Sequence, residues 1–231
     1  MKTELVPEVP RPIVTVDIVL LALKDGELSC VLAPRQASPF KGTWTIPGGW
    51  VHLDKDSDTR DSAVRILKEK AGLTVPYLEQ LQTFSGATRD SRGWSVSVAY
   101  YALVRVEDIN ETSVTLRLAP VESLQNLPFD HANILSAAVE RVRSKSLYSS
   151  LPAHLMQRQF TVTQLQRVYE TLLGVPLDKR GFRRRIDELD ILEPVPGISS
   201  QEGHRPAQMY QLKNPAPDHL ALAGSNLGGG S

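Results

Sequence analysis

The chain has 231 residues, with 26 Lys and Arg against 26 Asp and Glu, 41% apolar and 23% charged. This globular balance excludes wholesale disorder, a collagen-like repeat and a disulfide-stapled mini-domain, and zero net charge means that a polyanion must be met by a local cluster. The single cysteine, Cys30 in the apolar run LSCVLAP, permits no internal disulfide and reads as a small buried hydrophobe in a reducing compartment. The start, MKTELVPEVPRP, lacks the basic end and apolar core of a signal peptide, and no run of 18 apolar residues occurs. The expectation is a cytoplasmic protein with no membrane partner.

In chain order, IVTVDIVLLAL at Ile13 to Leu23 and LSCVLAP flank the turn signal KDGE and predict a β-hairpin. TWTIPGGW, Thr43 to Trp50, predicts a strand whose Pro-Gly-Gly end feeds an Asp-rich loop and the helical pattern SAVRILKEKAGL, closed by Gly72. Further strands are predicted at Tyr77 to Ser85, Trp94 to Val106 and Thr112 to Leu118. Asp130 to Leu147 places Ile134, Leu135, Ala138 and Val142 on one face of an amphipathic helix. Residues 1–148 therefore read as a mixed α/β domain. The Ser-rich join SLYSSLPAH sets the boundary near Ser149, and residues 149–213 read as a second domain. Its first helix, TQLQRVYETLLG, is expected to open at Thr163 with Gln166 completing a capping box. Its second starts after Asp178 and carries an apolar stripe of Phe182, Ile186 and Leu189. A short connection makes the pair a helix-turn-helix, and ILEPVPGISSQEGHRPAQMYQLK reads as a wing. The Pro, Gly and Ser-rich residues 214–231 read as a disordered tail.

Five of the seven residues from Lys179 to Arg185 are basic: Lys179, Arg180, Arg183, Arg184 and Arg185. Guanidinium groups at a helix start suit phosphates and guanine edges, which they meet bidentately. A charge run is also what a solvated face looks like. Against that, like charges at i, i+4 and at the positive end of the helix dipole each cost a few tenths of a kcal/mol without a polyanion. DNA contact is therefore the expectation for these five, with His204 and Arg205 in the wing loop reaching a neighbouring phosphate or minor groove.

The stretch GGWVHLDKDSDTRDSAVRILKEKAGL resembles the Nudix box, G-x5-E-x7-R-E-U-x-E-E-x-G-U with U a bulky aliphatic residue. Gly49, Arg65, Leu67, Glu69, Gly72 and Leu73 fall in place. The box needs carboxylates on one helical face to hold divalent metals against a diphosphate. Here Ile66 and Lys70 stand where two of them belong, the spacing from Gly49 to Arg65 is two residues longer, and Glu69 is the one remaining metal candidate. Asp54, Asp56, Asp58 and Asp61 read as helix-dipole complement and solvated surface rather than as ligands.

Together with GATRDSRGWSVSVAYYALV and LDKRGFRRRI, this order of a degenerate Nudix domain and a winged helix is similar to the NrtR family of Nudix-related regulators of NAD metabolism, over most of residues 10 to 213. The resemblance implies a homodimeric repressor that binds a palindromic DNA operator near NAD-biosynthesis genes. It also implies an N-terminal domain that takes ADP-ribose or a related NAD-derived nucleotide as effector, with no cofactor required and no catalysis. For such a ligand the expected contacts are the backbone around Gly48 and Gly49, the cations Arg35, Lys70 and Arg89, and Trp50 or Tyr101 for adenine stacking. Each has a bland alternative: a surface ion pair for Arg35, core packing for Trp50 and sheet packing for Tyr101. The rival classes are a Nudix-type hydrolase of ADP-ribose or another nucleoside diphosphate derivative, using Glu69 with loop aspartates, and a protein-interaction module with an acidic partner.

Overall fold

The computed structural model describes residues 11–112, 114–200 and 207–213. Its centre is a mixed sheet. β1 (Ile13–Lys24) turns through Asp25 and Gly26, both at positive φ, into β2 (Glu27–Pro34), the two-residue connection that suits the twist of a hairpin. The strands run in the order β3 (Trp44–Thr45), β2, β1, β6 (Ser95–Leu103), β5 (Tyr77–Gly86). Alongside them, β4 (Gly48–Trp50) pairs with β1 and β7 (Arg117–Pro120) with β2. Among the described residues only the β1–β6 pairing is parallel.

β1 is buried without a break from Thr15 to Ala22, as a strand covered on both faces must be. Successive side chains alternate between two cores. Val19, Leu21, Cys30, Leu32, Tyr101 and Leu103 pack toward α3 (His131–Ser146). Ile18, Leu20, Val31, Tyr100 and Ala102 pack toward α1 (Thr59–Ile66) and the wider π-type turn that continues it over Leu67–Ala71 to Gly72. Burial pushes the Cys30 thiol pKa up to about 12, so it behaves as an inert hydrophobe.

Four local expectations shift. The single strand expected over Thr43 to Trp50 breaks at Ile46 and Pro47 into β3, paired with β2, and β4, paired with β1. The strand expected to reach Val106 leaves the sheet at Leu103, and Val106–Glu111 forms the short helix α2, with Glu107 and Asp108 complementing the dipole of its first turn. The strand expected over Thr112 to Leu118 lies at Arg117–Pro120, where Leu118 and Ala119 pair with Val31 and Cys30. The capping box of α4 (Val162–Leu173) is Thr161 with Gln164, two residues before the expected Thr163 and Gln166. The sequence TVTQLQ holds both frames, and tertiary structure selects one: Gln166 is buried and donates to Glu170 and to the Leu177 carbonyl.

α4 and α5 (Lys179–Leu189) form the helix-turn-helix, with Asp178 accepting the Gly181 N–H as N-cap. Phe182, Ile186 and Leu189 are buried, and Phe182 meets Tyr169 edge-on with ring centres 5.2 Å apart. β8 (Leu192–Ser200) and β9 (Ala207–Leu212) make an antiparallel wing, tied to the chain before α4 by paired backbone bonds between Phe160 and Tyr210.

The Ser-rich join is not a slack linker. Ser149 and Ser150 are buried, as are most residues of the 3-10 turn Leu151–Leu155, and the Tyr169 hydroxyl donates to the Ser149 carbonyl at 3.0 Å. One apolar cluster runs from the sheet through α3 and this turn into α4 and α5. The expected tail, residues 214–231, and the wing-loop residues His204 and Arg205 lie outside the described residues.

Candidate ligand pocket and nucleic-acid interface

A cavity of about 320 Å³ opens where β1, β2, β4, the end of the box helix, the loop after β5 and the start of α3 converge. Its floor is a charged network. The Asp17 carboxylate, buried within β1, accepts from Ser97 Oγ at 2.6 Å and from the Arg89 guanidinium at 3.3 Å. Arg89 also donates twice to Asp130, at 2.9 and 3.0 Å. His131 lies beside them with Nε2 3.7 Å from Asp17 Oδ1, beyond hydrogen-bond distance. Burial lowers its pKa below the ordinary histidine value, Asp17 and Asp130 pulling weakly the other way. The position of Asp17 requires glycine at residue 48, because a Cβ there would stand 2.0 Å from Asp17 Oδ1.

Around this floor the walls are cationic. Arg35 lies over the Phe129 ring at 4.7 Å and donates from Nε to the Pro39 carbonyl. Arg92 is clamped by Asp90 and lies 5.5 Å over the exposed Trp50 ring. Lys70 is exposed at the rim.

Of the residues expected to meet a ligand, Arg35, Gly48, Gly49, Trp50, Lys70 and Arg89 line this cavity. Tyr101 does not. It is fully buried in the opposite core and its hydroxyl meets that of Tyr77 at 3.1 Å, so the stacking role expected for it is withdrawn. From Ala99 to Leu103 β6 is buried on both faces, which leaves Tyr101 no solvent side. Trp50, by contrast, is exposed rather than core. Arg89 lines the pocket as a tether between the buried Asp17 and the half-buried Asp130 rather than as a free cation. The Gly49 amide is also committed: Pro47 accepts from Ile18 and Val51 donates to Val14, so ladder alternation directs the Gly49 N–H at Val16 and turns those of Gly48 and Trp50 away from β1. Asp17, Asp90, Arg92, Asp130 and His131 were not anticipated. A lone aspartate inside the run IVTVDIVLLAL was the available signal, since a charge in a buried strand requires partners.

The box helix spends its charges on itself. Arg65 grips Asp56 with two 2.7 Å bonds and reaches the Trp50 carbonyl and Glu69. The bonds from Arg65, with others from the His52 N–H and Ser62 Oγ, hold the enclosed Asp56 carboxyl well below the usual carboxylate range. Asp56 is therefore neither solvated surface nor a free metal ligand. Asp58 caps α1 through the Asp61 N–H, as expected of an acid at a helix start. The divalent metal that a Nudix box implies does not fit these residues. The apolar Ile66 is packed against Gly49, the ammonium of Lys70 repels a cation, and the single remaining carboxylate, Glu69, pairs with Arg65. Among the described residues no group of three or more His, Cys, Asp or Glu side chains is placed to hold a metal ion.

The second surface is α5. At 3.6 residues per turn, the buried stripe of Phe182, Ile186 and Leu189 leaves Arg180 and Arg184 on the opposite side, with Lys179 and Arg183 adjoining. These four are exposed, while Arg185 is half-buried at the edge of the stripe. Arg184 has a loose i, i+4 partner in Glu188 at 3.7 Å, both largely exposed.

A Nudix domain matches residues 11–142, and the NrtR DNA-binding winged helix domain matches residues 152–212. The chain is thus a Nudix-domain protein carrying a DNA-binding winged helix. The ADPR responsive transcriptional repressor NtrR of Acinetobacter baylyi is 39% identical over 209 residues, covering 88% of this chain and 83% of that relative. The chain belongs to the NrtR family. The crystal structure of Shewanella oneidensis NrtR complexed with a 27mer DNA matches with a TM-score of 0.81 at 36% identity, over 90% of this chain and 97% of that one. The NUDIX domain of the same Shewanella protein, complexed with ADP ribose, matches with a TM-score of 0.54 at 35% identity, over 60% and 94%. No helix among the described residues is long and apolar enough to cross a membrane.

Proposed function

We propose that this protein is a transcriptional repressor of NAD biosynthesis and salvage genes whose operator binding is relieved by ADP-ribose or a related NAD-derived nucleotide. The observation that carries this reading is the box helix: Ile66 and Lys70 turn a metal-binding face into an apolar and cationic pocket wall. Such a wall favours holding a diphosphate intact, and an effector must persist in order to report its concentration. In this reading Arg35, Lys70 and Arg92 supply charge to the diphosphate, the Gly48 amide supplies a backbone donor, and Trp50 offers a stacking face. Residues 1–148 form the effector-binding part and 149–213 the DNA-binding part, acting as a cytoplasmic homodimer on a palindromic operator. Lys179, Arg180, Arg183, Arg184 and Arg185 meet the DNA, joined by His204 and Arg205.

Release follows from linkage. A ligand frees DNA only by as much as its affinities for the DNA-competent and DNA-incompetent states differ, so operator must weaken ADP-ribose binding by the same factor. The buried join between the domains supports such coupling, because α3 begins at the pocket with Asp130 and His131 and ends beside the Ser149–Tyr169 bond. The test is a gel shift with a palindromic promoter fragment at fixed salt, with and without ADP-ribose, followed by chromatography of the nucleotide after incubation with Mg²⁺. Sequence-specific binding released by intact ADP-ribose is expected. Consumption of ADP-ribose without specific DNA binding would establish the hydrolase instead, for which the Glu69 carboxylate at the pocket wall is the one favouring observation.

A further inference from the structure

The turn that launches the cationic helix is gripped by two side chains of α4. Gln166 and Glu170 lie one helical turn apart, and the residue they hold is Leu177, immediately before the Asp178 cap of α5. Gln166, only 7% exposed, donates from Nε2 to the Leu177 carbonyl at 2.9 Å and to Glu170 Oε1 at 2.9 Å. Glu170 Oε1 in turn accepts the Leu177 N–H at 2.9 Å. The three bonds close a ring in which α4 satisfies both backbone groups of one turn residue. The Leu177 N–H, and after it Gln166, hold the Glu170 carboxyl below the ordinary carboxylate range, with Lys179 and Arg167 adding to the effect.

This ring fixes something that packing alone leaves loose. Phe182, Ile186 and Leu189 decide which face of α5 is buried, but apolar contact is non-directional and does not define where the helix begins. Val175 and Pro176 are exposed, and Pro176 has no N–H to donate, so Leu177 is where α4 takes hold of the turn. The start of the helix matters because Lys179, Arg180, Arg183 and Arg184 follow it, and contacts to base edges need atoms placed within hydrogen-bond distance.

A carboxylate is an unexpected choice for this place. Glu170 stands close enough to Lys179 and Arg167 to feel their charge, beside a surface that meets a polyanion, and its own charge opposes that attraction. We propose that Glu170, together with Gln166, is a positioning residue for DNA binding, setting the start of α5 through Leu177 so that the basic face docks in register. This rests on the DNA-binding reading above and makes a prediction of sign. If Glu170 acted only through its charge, removing it would tighten DNA binding; as a positioning residue, its removal weakens binding to the operator.

The test is titration of the full chain and its Glu170→Ala, Glu170→Gln and Gln166→Leu variants with the palindromic promoter fragment and with a scrambled duplex of equal length, at fixed salt. Urea stability and hydrogen exchange at the Leu177 amide are measured alongside. Glu170→Ala is expected to lose about tenfold in affinity for the promoter fragment and nothing for the scrambled duplex, with faster exchange at Leu177. Glu170→Gln keeps an acceptor for the Leu177 N–H and drops the charge, so it is expected to bind the fragment at least as tightly as the wild type. Gln166→Leu, which changes no charge, is expected to shift selectivity in the same direction as Glu170→Ala by a smaller factor. Tighter binding of Glu170→Ala to both duplexes would show a charge effect alone, and an equal loss for both, matched by the unfolded fraction, a merely structural one. Either would overturn the assignment and leave the DNA-binding reading standing. A wild type that binds neither duplex would overturn both.

Discussion

The pocket floor and the exposed face of α5 are both built from arginine, yet they treat its charge in opposite ways. Around the pocket three of the five lysine and arginine side chains are answered: Arg89 by Asp17 and Asp130, Arg92 by Asp90, Arg65 by Asp56 and Glu69, the buried Asp17 among them. On α5, Lys179, Arg180, Arg183 and Arg184 share one loose surface pair. The difference is dielectric. A buried charge without a partner costs several kcal/mol, whereas crowded surface cations cost only tenths each and can wait for a polyanion. An arginine that is both buried and paired, as Arg89 is, therefore marks architecture, and exposed arginines crowded among their own kind mark an interface.

The largest effect expected from this contrast is at Arg89. Arg89→Ala strands Asp17 as a buried carboxylate without an arginine partner, with the half-buried Asp130 beside it, and should destabilise the fold by about 3–5 kcal/mol, read by urea denaturation. A loss under about 1 kcal/mol, the scale of a surface pair, would break the comparison. Next come Arg180→Ala and Arg184→Ala, each expected to weaken operator binding by about 1–3 kcal/mol at fixed salt while leaving urea stability unchanged. Relaxed sequence preference would identify a base contact, uniform weakening a phosphate contact, and unchanged affinity for both a merely solvated face. The smallest is a pH effect at His131. Its folded pKa lies below the ordinary value of 6.5, so the unfolded chain binds more protons at mildly acidic pH. The resulting stability is complete above pH 6.5 and falls as pH drops through that value toward the lower folded pKa. The pH dependence of urea unfolding should be shallower in His131→Phe over that window, and identical slopes would show that His131 is not buried neutral.

Much of the fold was legible because its signals are local. The β-branched runs, the Asp-Gly turn, the amphipathic stripe of α3 and the Phe182, Ile186, Leu189 stripe are all written within a few residues of one another, and the structure places them on the elements expected. The box helix was legible for the same reason. The pocket floor was not: Arg89 reaches Asp17 across 72 positions and Asp130 across 41. Tyr101 shows the complementary failure. Alternation places it in a strand, but periodicity does not say whether the face it occupies is wet or covered.

The sequence by itself determined most of the strands and helices, though not α2 or the place of β7, that a metal-binding helix has exchanged carboxylates for Ile66 and Lys70, and where the cations crowd on one helix. Tertiary structure decided which of two overlapping capping frames begins α4, that the serine-rich join is buried rather than slack, and that Asp17, Arg89, Asp130 and His131 share one site. The physical reason is range. Propensity, capping and periodicity act over a few bonds of chain, whereas burial and charge pairing depend on what distant segments bring within hydrogen-bonding distance.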